Sequence, residues 1–200
     1  TYVSEITESG REIGAINSIT NNKGNLVGDN TDWVGIKDSI DWLEKEKLKT
    51  KIIKGKDANL GGVAIVVGYG GSAKAAVYGL SEKRYRLIKI FNRSYNKIKN
   101  IRPKTKKETL LESHKLKDLK HHLETAHLVI NTIPRKIYIN ENGFKSASCE
   151  KTNYGYDLVY NSHTGFLDLF NPSYRISGLW MLMFQAIPCF KKWFGVEPEV

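Results

Sequence analysis

Residues 63–75 read VAIVVGYGGSAKA, and this stretch limits the possible folds more than any other in the chain. Five apolar residues run into Gly68, Gly70 and Gly71, and a helix-compatible segment, Ser72 to Leu80, follows at once. That order describes a buried strand, a tight glycine turn and the start of a helix. A turn of this kind lets a phosphate-bearing ligand approach bare backbone, and the helix N-terminus offers unpaired N–H groups to an anion. A second strand, Leu87 to Phe91, follows about 20 residues on, the spacing of a dinucleotide-binding unit. The competing reading is a plain strand–turn–helix whose glycines only close the turn.

At 200 residues and 40% hydrophobic composition, the chain can bury the core of one large domain. No stretch approaches the roughly 20 apolar residues that span a bilayer. The opening residues, TYVSEITESG, lack the basic-then-apolar order of a signal peptide. The chain starts without Met inside a helix-like segment, and so reads as a fragment of something longer. Cys149 and Cys189 are too few for a disulfide framework and suit a reducing, cytoplasmic compartment. The net charge of +10 comes from lysines spread along the chain, densest over 45–56 and 97–107. Neither run carries the interleaved aromatics of a single-strand binder. There is no zinc-ligand spacing. The charge is read as a solvated basic surface, with no metal and no nucleic-acid or membrane partner expected.

The α/β alternation begins at Val63. Strand Val63–Val67 leads to helix Ser72–Lys83, and strand Leu87–Phe91 to helix Tyr95–Ile101. Loop Pro103–Lys107 and a helical Leu116–Leu123 come next. Strand Leu128–Ile130 then ends in Asn131-Thr132, and a further strand runs from Tyr156 to Tyr160. Such alternation predicts a Rossmann-like parallel sheet with helices on both faces. Before it, Thr7–Ala15 is helix-like with Thr7 as N-cap. Short strands Ile16–Thr20 and Leu26–Gly28 flank an Asn-rich turn. Trp33, Ile36, Ile40 and Leu43 then have helical spacing. Residues 47–62 read as a surface connection. A long, mostly apolar helix, Gly178–Phe194, closes the chain.

Two constellations carry chemistry. When a dinucleotide cofactor has a free ribose 2′-hydroxyl, the second strand usually ends in a carboxylate. Here that strand ends in Asn92-Arg93-Ser94. Residues 83–107 contain eleven Lys or Arg and no Asp or Glu. An Arg fork matches a 2′-phosphate that a carboxylate would repel, so the pattern favours NADP over NAD. The second constellation is Asn30-Thr31-Asp32 before a helix, where local chemistry alone favours capping. Asn17 and Gln185, polar residues in apolar segments, read locally as satisfied core amides.

Five blocks together resemble the shikimate dehydrogenases in order and spacing: Gly14-Ala15-Ile16-Asn17-Ser18 with Asn30-Thr31-Asp32, Gly68 to Ala75, Asn92-Arg93-Ser94, Tyr156 to Tyr160, and Gly178 to Gln185. The wording around Asp29 to Trp33 is most similar to the dehydrogenase module of fungal multifunctional shikimate-pathway proteins, and also to quinate-pathway repressors. The resemblance implies NADPH-dependent reduction of 3-dehydroshikimate to shikimate. It implies that Asn17, Asp32 and Gln185 bind substrate hydroxyls, with Asp32 the acidic partner of a catalytic Lys–Asp pair. It implies a cofactor site of Gly68, Gly70, Gly71, Ser72 and Ala73 at the pyrophosphate, and of Asn92, Arg93, Ser94 and Lys97 at the 2′-phosphate. Asn131 and Thr132 would lie beside the cofactor and Met181 near the nicotinamide. The implied division is a hinge and substrate-domain remnant over 1–31, an NADP-binding domain over 32–177 and a returning C-terminal helix over 178–200. The family's catalytic Lys falls before Thr1, so the chain alone is expected to be inactive. Trp180 stands where the family usually has Gly, and its indole is expected to crowd the nicotinamide. The alternatives are a sensor that keeps the fold without catalysis, and a quinate dehydrogenase.

Overall fold

Every residue of Val63–Val67 is buried, because this strand lies at the centre of a sheet covered on both faces. The computed structural model describes residues 2–49, 62–99, 109–134 and 154–199. The chain opens with β1 (Glu5–Ile6), α1 (Glu8–Ile13), β2 (Ser18–Asn22) and β3 (Asn25–Asp29). These strands make a small sheet in which β1 pairs parallel and β2 antiparallel with β3. Thr7 caps α1 by accepting the Gly10 N–H. The Asn-rich segment turns through positive φ at Lys23 and Gly24. Strand β2 starts two residues later than predicted. Asn17 still donates its N–H to the Asp29 carbonyl, 3.0 Å away.

Helix α2 (Asp32–Lys49) leads to the main sheet: β4 (Val63–Val67), β5 (Leu87–Asn92), β6 (Leu110–Lys115), β7 (Leu128–Asn131), β8 (Tyr154–Asp157) and β9 (Arg175–Ser177). All its pairings are parallel, in the order β6-β5-β4-β7-β8-β9. Helix α3 (Gly71–Glu82) connects β4 to β5, and α4 (Gly178–Phe194) ends the fold. The strand order reverses direction between β4 and β7, the switch point at which such sheets bind ligands.

Strand alternation divides the core in two. Ala64, Val66, Ile88, Ile90, Leu128 and Ile130 face α2 and α3, meeting Ile36, Ile40, Val77 and Leu80. Ile65, Val67, Phe91 and Val129 face the opposite way, toward Leu116, Leu119, Leu123, Phe166 and Phe170. Among the described residues this second face is covered by 3₁₀ turns, Leu116–His121, Leu123–Thr125 and Leu167–Leu169. The predicted Leu116–Leu123 helix is thus two tighter pieces. The predicted Tyr95–Ile101 helix is a single 3₁₀ turn over Tyr95–Lys97 within the described residues. The strand predicted at Tyr156–Tyr160 ends at Asp157, and the Pro103–Lys107 loop lies outside the described residues. Strands β6 and β9 have no counterpart in the sequence prediction.

Helix α4 packs closely on α2 because Gly35 leaves room. A Cβ at Gly35 would lie 2.5 Å from the Met181 carbonyl and 2.8 Å from Gln185 Cβ. Trp180 stacks on Trp42, with ring centroids 4.0 Å apart and planes 27° apart. Lys83, at the end of α3, reaches back to Asp41 and Glu44 of α2, at 2.5 and 3.2 Å. Among the described residues no helix is long and apolar enough to cross a membrane.

Candidate active site

The glycine turn is open where a ligand would need it open and closed elsewhere. Gly68 has φ +108° and donates its N–H to the Phe91 carbonyl at 2.8 Å. A side chain there would run into that of Thr132, and the backbone lies in a region L-residues rarely adopt. Gly70, the N-cap of α3, lacks a side-chain cap. A Cβ at Gly70 would meet nothing within 4 Å. Helix α3 has no acidic residue in its first turn, so its positive end and orphan N–H groups are unanswered by the protein's own side chains. This arrangement fits the pyrophosphate of a dinucleotide. Ser72 and Ala73 follow in the first turn, Ser72 half-buried and Ala73 buried.

Around the turn, Thr132 Oγ1 donates to the Val67 carbonyl at 2.7 Å and joins the ends of β4 and β7. Asn131 Nδ2 donates to the Asp157 carboxylate at 2.9 Å and to the Ile133 carbonyl at 3.1 Å. Asp157 also accepts from the Thr164 hydroxyl and from the Val159 N–H, so the side chains of Asn131 and Thr132 are both engaged within the fold. Asn92 ends β5, with Arg93, Ser94 and Lys97 exposed just beyond it. Lys115, unremarked in the sequence, lies opposite Asn92 in the β5–β6 register, its ammonium 5.9 Å from the centre of the Tyr95 ring.

The second half is a polar cluster drawn from three elements. Asn17 Nδ2 donates to Asp32 Oδ1 at 2.6 Å and to Thr31 Oγ1 at 3.1 Å. It also lies 3.4 Å from Gln185 Oε1 on α4. Thr31 donates its backbone N–H to Asn17 Oδ1 at 2.8 Å and its hydroxyl to Gln185 Oε1 at 3.0 Å. Asn30 caps α2 by accepting the Asp32 N–H, while its Nδ2 donates to the Ala15 carbonyl at 3.1 Å. The cap expected of this segment is therefore present, and it is Asn30 that makes it. Burial pushes the Asp32 carboxyl above the usual range, against the hydrogen bond from Asn17 that lowers it.

The structure thus gathers Asn17, Asp32 and Gln185, which the sequence named as site residues, and adds Thr31, read there only as part of a capping segment, and Cys189, read only as a thiol. The Cys189 sulfur lies 3.2 Å from Thr31 Oγ1. The halves touch where a Cβ on Gly71 would come within 3.5 Å of Ala15 Cβ. Met181 is buried in the core beside α2. The Trp180 indole lies on Trp42, a placement the sequence did not foresee. Among the described residues no cluster of three or more His, Cys, Asp or Glu could hold a metal ion.

A sequence profile described as shikimate/quinate 5-dehydrogenase matches residues 51–158. A shikimate dehydrogenase (NADP(+)) of Carboxydothermus hydrogenoformans is 30% identical over 209 aligned residues, covering 100% of this chain and 69% of that protein. The shikimate dehydrogenase of Mycobacterium tuberculosis shares the fold with a TM-score of 0.80 at 22% identity, over 98% of this chain and 69% of that one. A shikimate dehydrogenase solved in complex with NADP+ matches with a TM-score of 0.67 at 26% identity, over 99% and 67%.

Proposed function

Since the chain belongs to the shikimate dehydrogenase family, we propose that it serves the NADP-linked interconversion of 3-dehydroshikimate and shikimate in aromatic amino-acid biosynthesis. The observation behind this is the convergence of Asn17, Thr31, Asp32 and Gln185 beside an uncapped glycine turn. Amides and a carboxylate so placed suit a small polyhydroxylated ring, whose hydroxyls need both donors and acceptors.

Gly68, Gly70, Gly71, Ser72 and Ala73 would hold the pyrophosphate. Asn92, Arg93, Ser94 and Lys97 would hold the 2′-phosphate, and Asn131, Thr132 and Met181 would border the nicotinamide half. When bound, NADPH supplies the hydride. Asn17 and Gln185 orient the substrate. Asp32 Oδ1 is held by Asn17, so its other oxygen exchanges the proton of the reacting centre, giving it to the carbonyl oxygen when the hydride arrives and taking it from the hydroxyl in the reverse direction. The raised carboxyl brings Asp32 closer to the range in which a side chain exchanges protons. Residues 1–31 would form the hinge and the edge of the substrate domain, 32–177 the NADP-binding domain and 178–200 the returning helix. The free Cys189 thiol accords with a cytoplasmic setting.

The test is an absorbance assay on the protein as its natural gene encodes it, with shikimate or quinate and either NADP+ or NAD+. NADPH formation with shikimate is expected. A protein that binds NADP+ and shikimate but oxidises neither substrate would overturn the reaction and point to a metabolite sensor.

A further inference from the structure

Cys189 lies one turn beyond Gln185 on α4 and is 5% exposed. Its neighbour, the Thr31 hydroxyl, owns a single proton and has several partners in reach. Gln185 Oε1 is at 3.0 Å and Asn17 Oδ1 at 3.3 Å. Asn17 Oδ1 already takes the Thr31 backbone N–H at 2.8 Å, and Asn17 Nδ2, 3.1 Å from the hydroxyl oxygen, can only donate. Gln185 Oε1, which also faces Asn17 Nδ2 at 3.4 Å, is therefore the nearest oxygen acceptor for the hydroxyl proton. A hydroxyl oxygen accepts up to two hydrogen bonds. Asn17 Nδ2 fills one acceptor position of Thr31 Oγ1. The group facing the other is the Cys189 thiol at 3.2 Å, nearer than the 3.9 Å between its sulfur and Gln185 Oε1, and it still has a proton to give.

We propose that Cys189 is a positioning residue for substrate recognition: its S–H donates to Thr31 Oγ1, directs the Thr31 proton onto Gln185 Oε1, and so fixes which end of the Gln185 carboxamide meets the substrate. With Oε1 held from behind, Nε2 is the end left to act. One of its protons goes to the Leu182 carbonyl at 3.2 Å, and the other is free for a substrate oxygen. Gln185 then reads the substrate as a donor while Asp32 reads it as an acceptor. A ligand whose oxygens are placed to accept beside Gln185 and donate beside Asp32 is selected over one with the reverse pattern.

The inference rests on the shikimate-dehydrogenase reading of the cluster, and two measurements separate the two. The first is infrared spectroscopy of the full chain carrying Cys149→Ser, which leaves Cys189 as the single thiol. Its S–H band should lie below the free-thiol position and move up when Thr31→Val removes the acceptor. A band unmoved by Thr31→Val overturns the proposal. The second uses steady-state kinetics of the natural protein. Cys189→Ala should raise KM for shikimate about three- to ten-fold with kcat and NADP+ affinity nearly unchanged, the mark of lost ground-state binding. Cys189→Ser, which still donates, should restore KM. An unchanged KM in Cys189→Ala, or a serine variant as weak as the alanine one, also overturns it. A natural protein that turns over no shikimate refutes the proposed reaction instead, and the infrared band still decides the role of the thiol.

Discussion

Asp32 answers to two opposed demands. Burial raises its carboxyl and the Asn17 hydrogen bond lowers it, with burial the larger. The folded protein therefore binds that proton more tightly than the unfolded chain does. Stability contributed by Asp32 falls as pH rises through the window between the ordinary carboxylate range and the raised folded value. Asp32→Asn keeps an oxygen for Asn17 and removes the buried charge. It should raise the melting temperature at neutral pH, flatten that slope and lower shikimate turnover by roughly 100-fold. Thermal melts across the acid-to-neutral range and steady-state kinetics check the two halves. Arg93, exposed at the end of β5, is the residue proposed to hold the 2′-phosphate. Arg93→Ala should cost about 1.5–3 kcal/mol of NADP+ binding and erase most of the preference over NAD+, as read by calorimetric titration. Equal affinities in the unmutated chain would remove the 2′-phosphate role. Asn17, Asp32 and Gln185 were singled out only through the family motifs that contain them, since locally they read as a cap and as core amides. Thr31 was legible only as a capping residue and Cys189 only as a thiol to be counted. Their shared roles arise when α4 returns to Thr31 across more than 150 residues, which no local pattern encodes.

At the scale of elements, the segments with strong local signals were legible and those held by neighbours were not. β4 and α4 were predicted with their observed bounds, the first from its apolar run and the second from its apolar helical length. β6 reads LLESHK, a half-exposed edge strand, and is specified by its parallel register with β5 rather than by alternation of its own. β9 is three residues long and depends in the same way on β8. The 3₁₀ turns over 116–125 carry enough leucine to resemble a helix, yet they close over the sheet as two separate 3₁₀ pieces, Leu116–His121 and Leu123–Thr125. Two glycines make the element scale testable. Gly70→Val should fold, because its φ of −83° suits valine and a Cβ meets nothing there, yet it should abolish NADP+ binding. A folded variant that still titrates with NADP+ would leave the turn with a structural role alone. Gly35→Ala, by contrast, drives a methyl into the Met181 carbonyl and Gln185. It should cost about 1–3 kcal/mol in denaturant unfolding and raise KM for shikimate by moving α4.

Across the whole molecule, α/β alternation made the parallel sheet legible, while the strand order, with its reversal between β4 and β7, follows from how the connections pack and was not. The same is true of the contact by which Ala15 of the N-terminal unit rests on Gly71 of the glycine turn. Helix α4 binds the ensemble together, carrying Gln185 to the polar cluster and Trp180 to Trp42. That indole pair also gives the molecule an optical gauge. Two rings 4.0 Å apart couple their electronic transitions, which should appear as paired bands of opposite sign in circular dichroism. Trp180→Gly should abolish the pair of bands while leaving the helical signal largely in place. In a graded denaturant titration the paired bands should fade before the sheet melts, because a helix held by one face opens at lower free energy than a central strand. The loss of those bands would time the moment at which α4, and Gln185 with it, leaves α2.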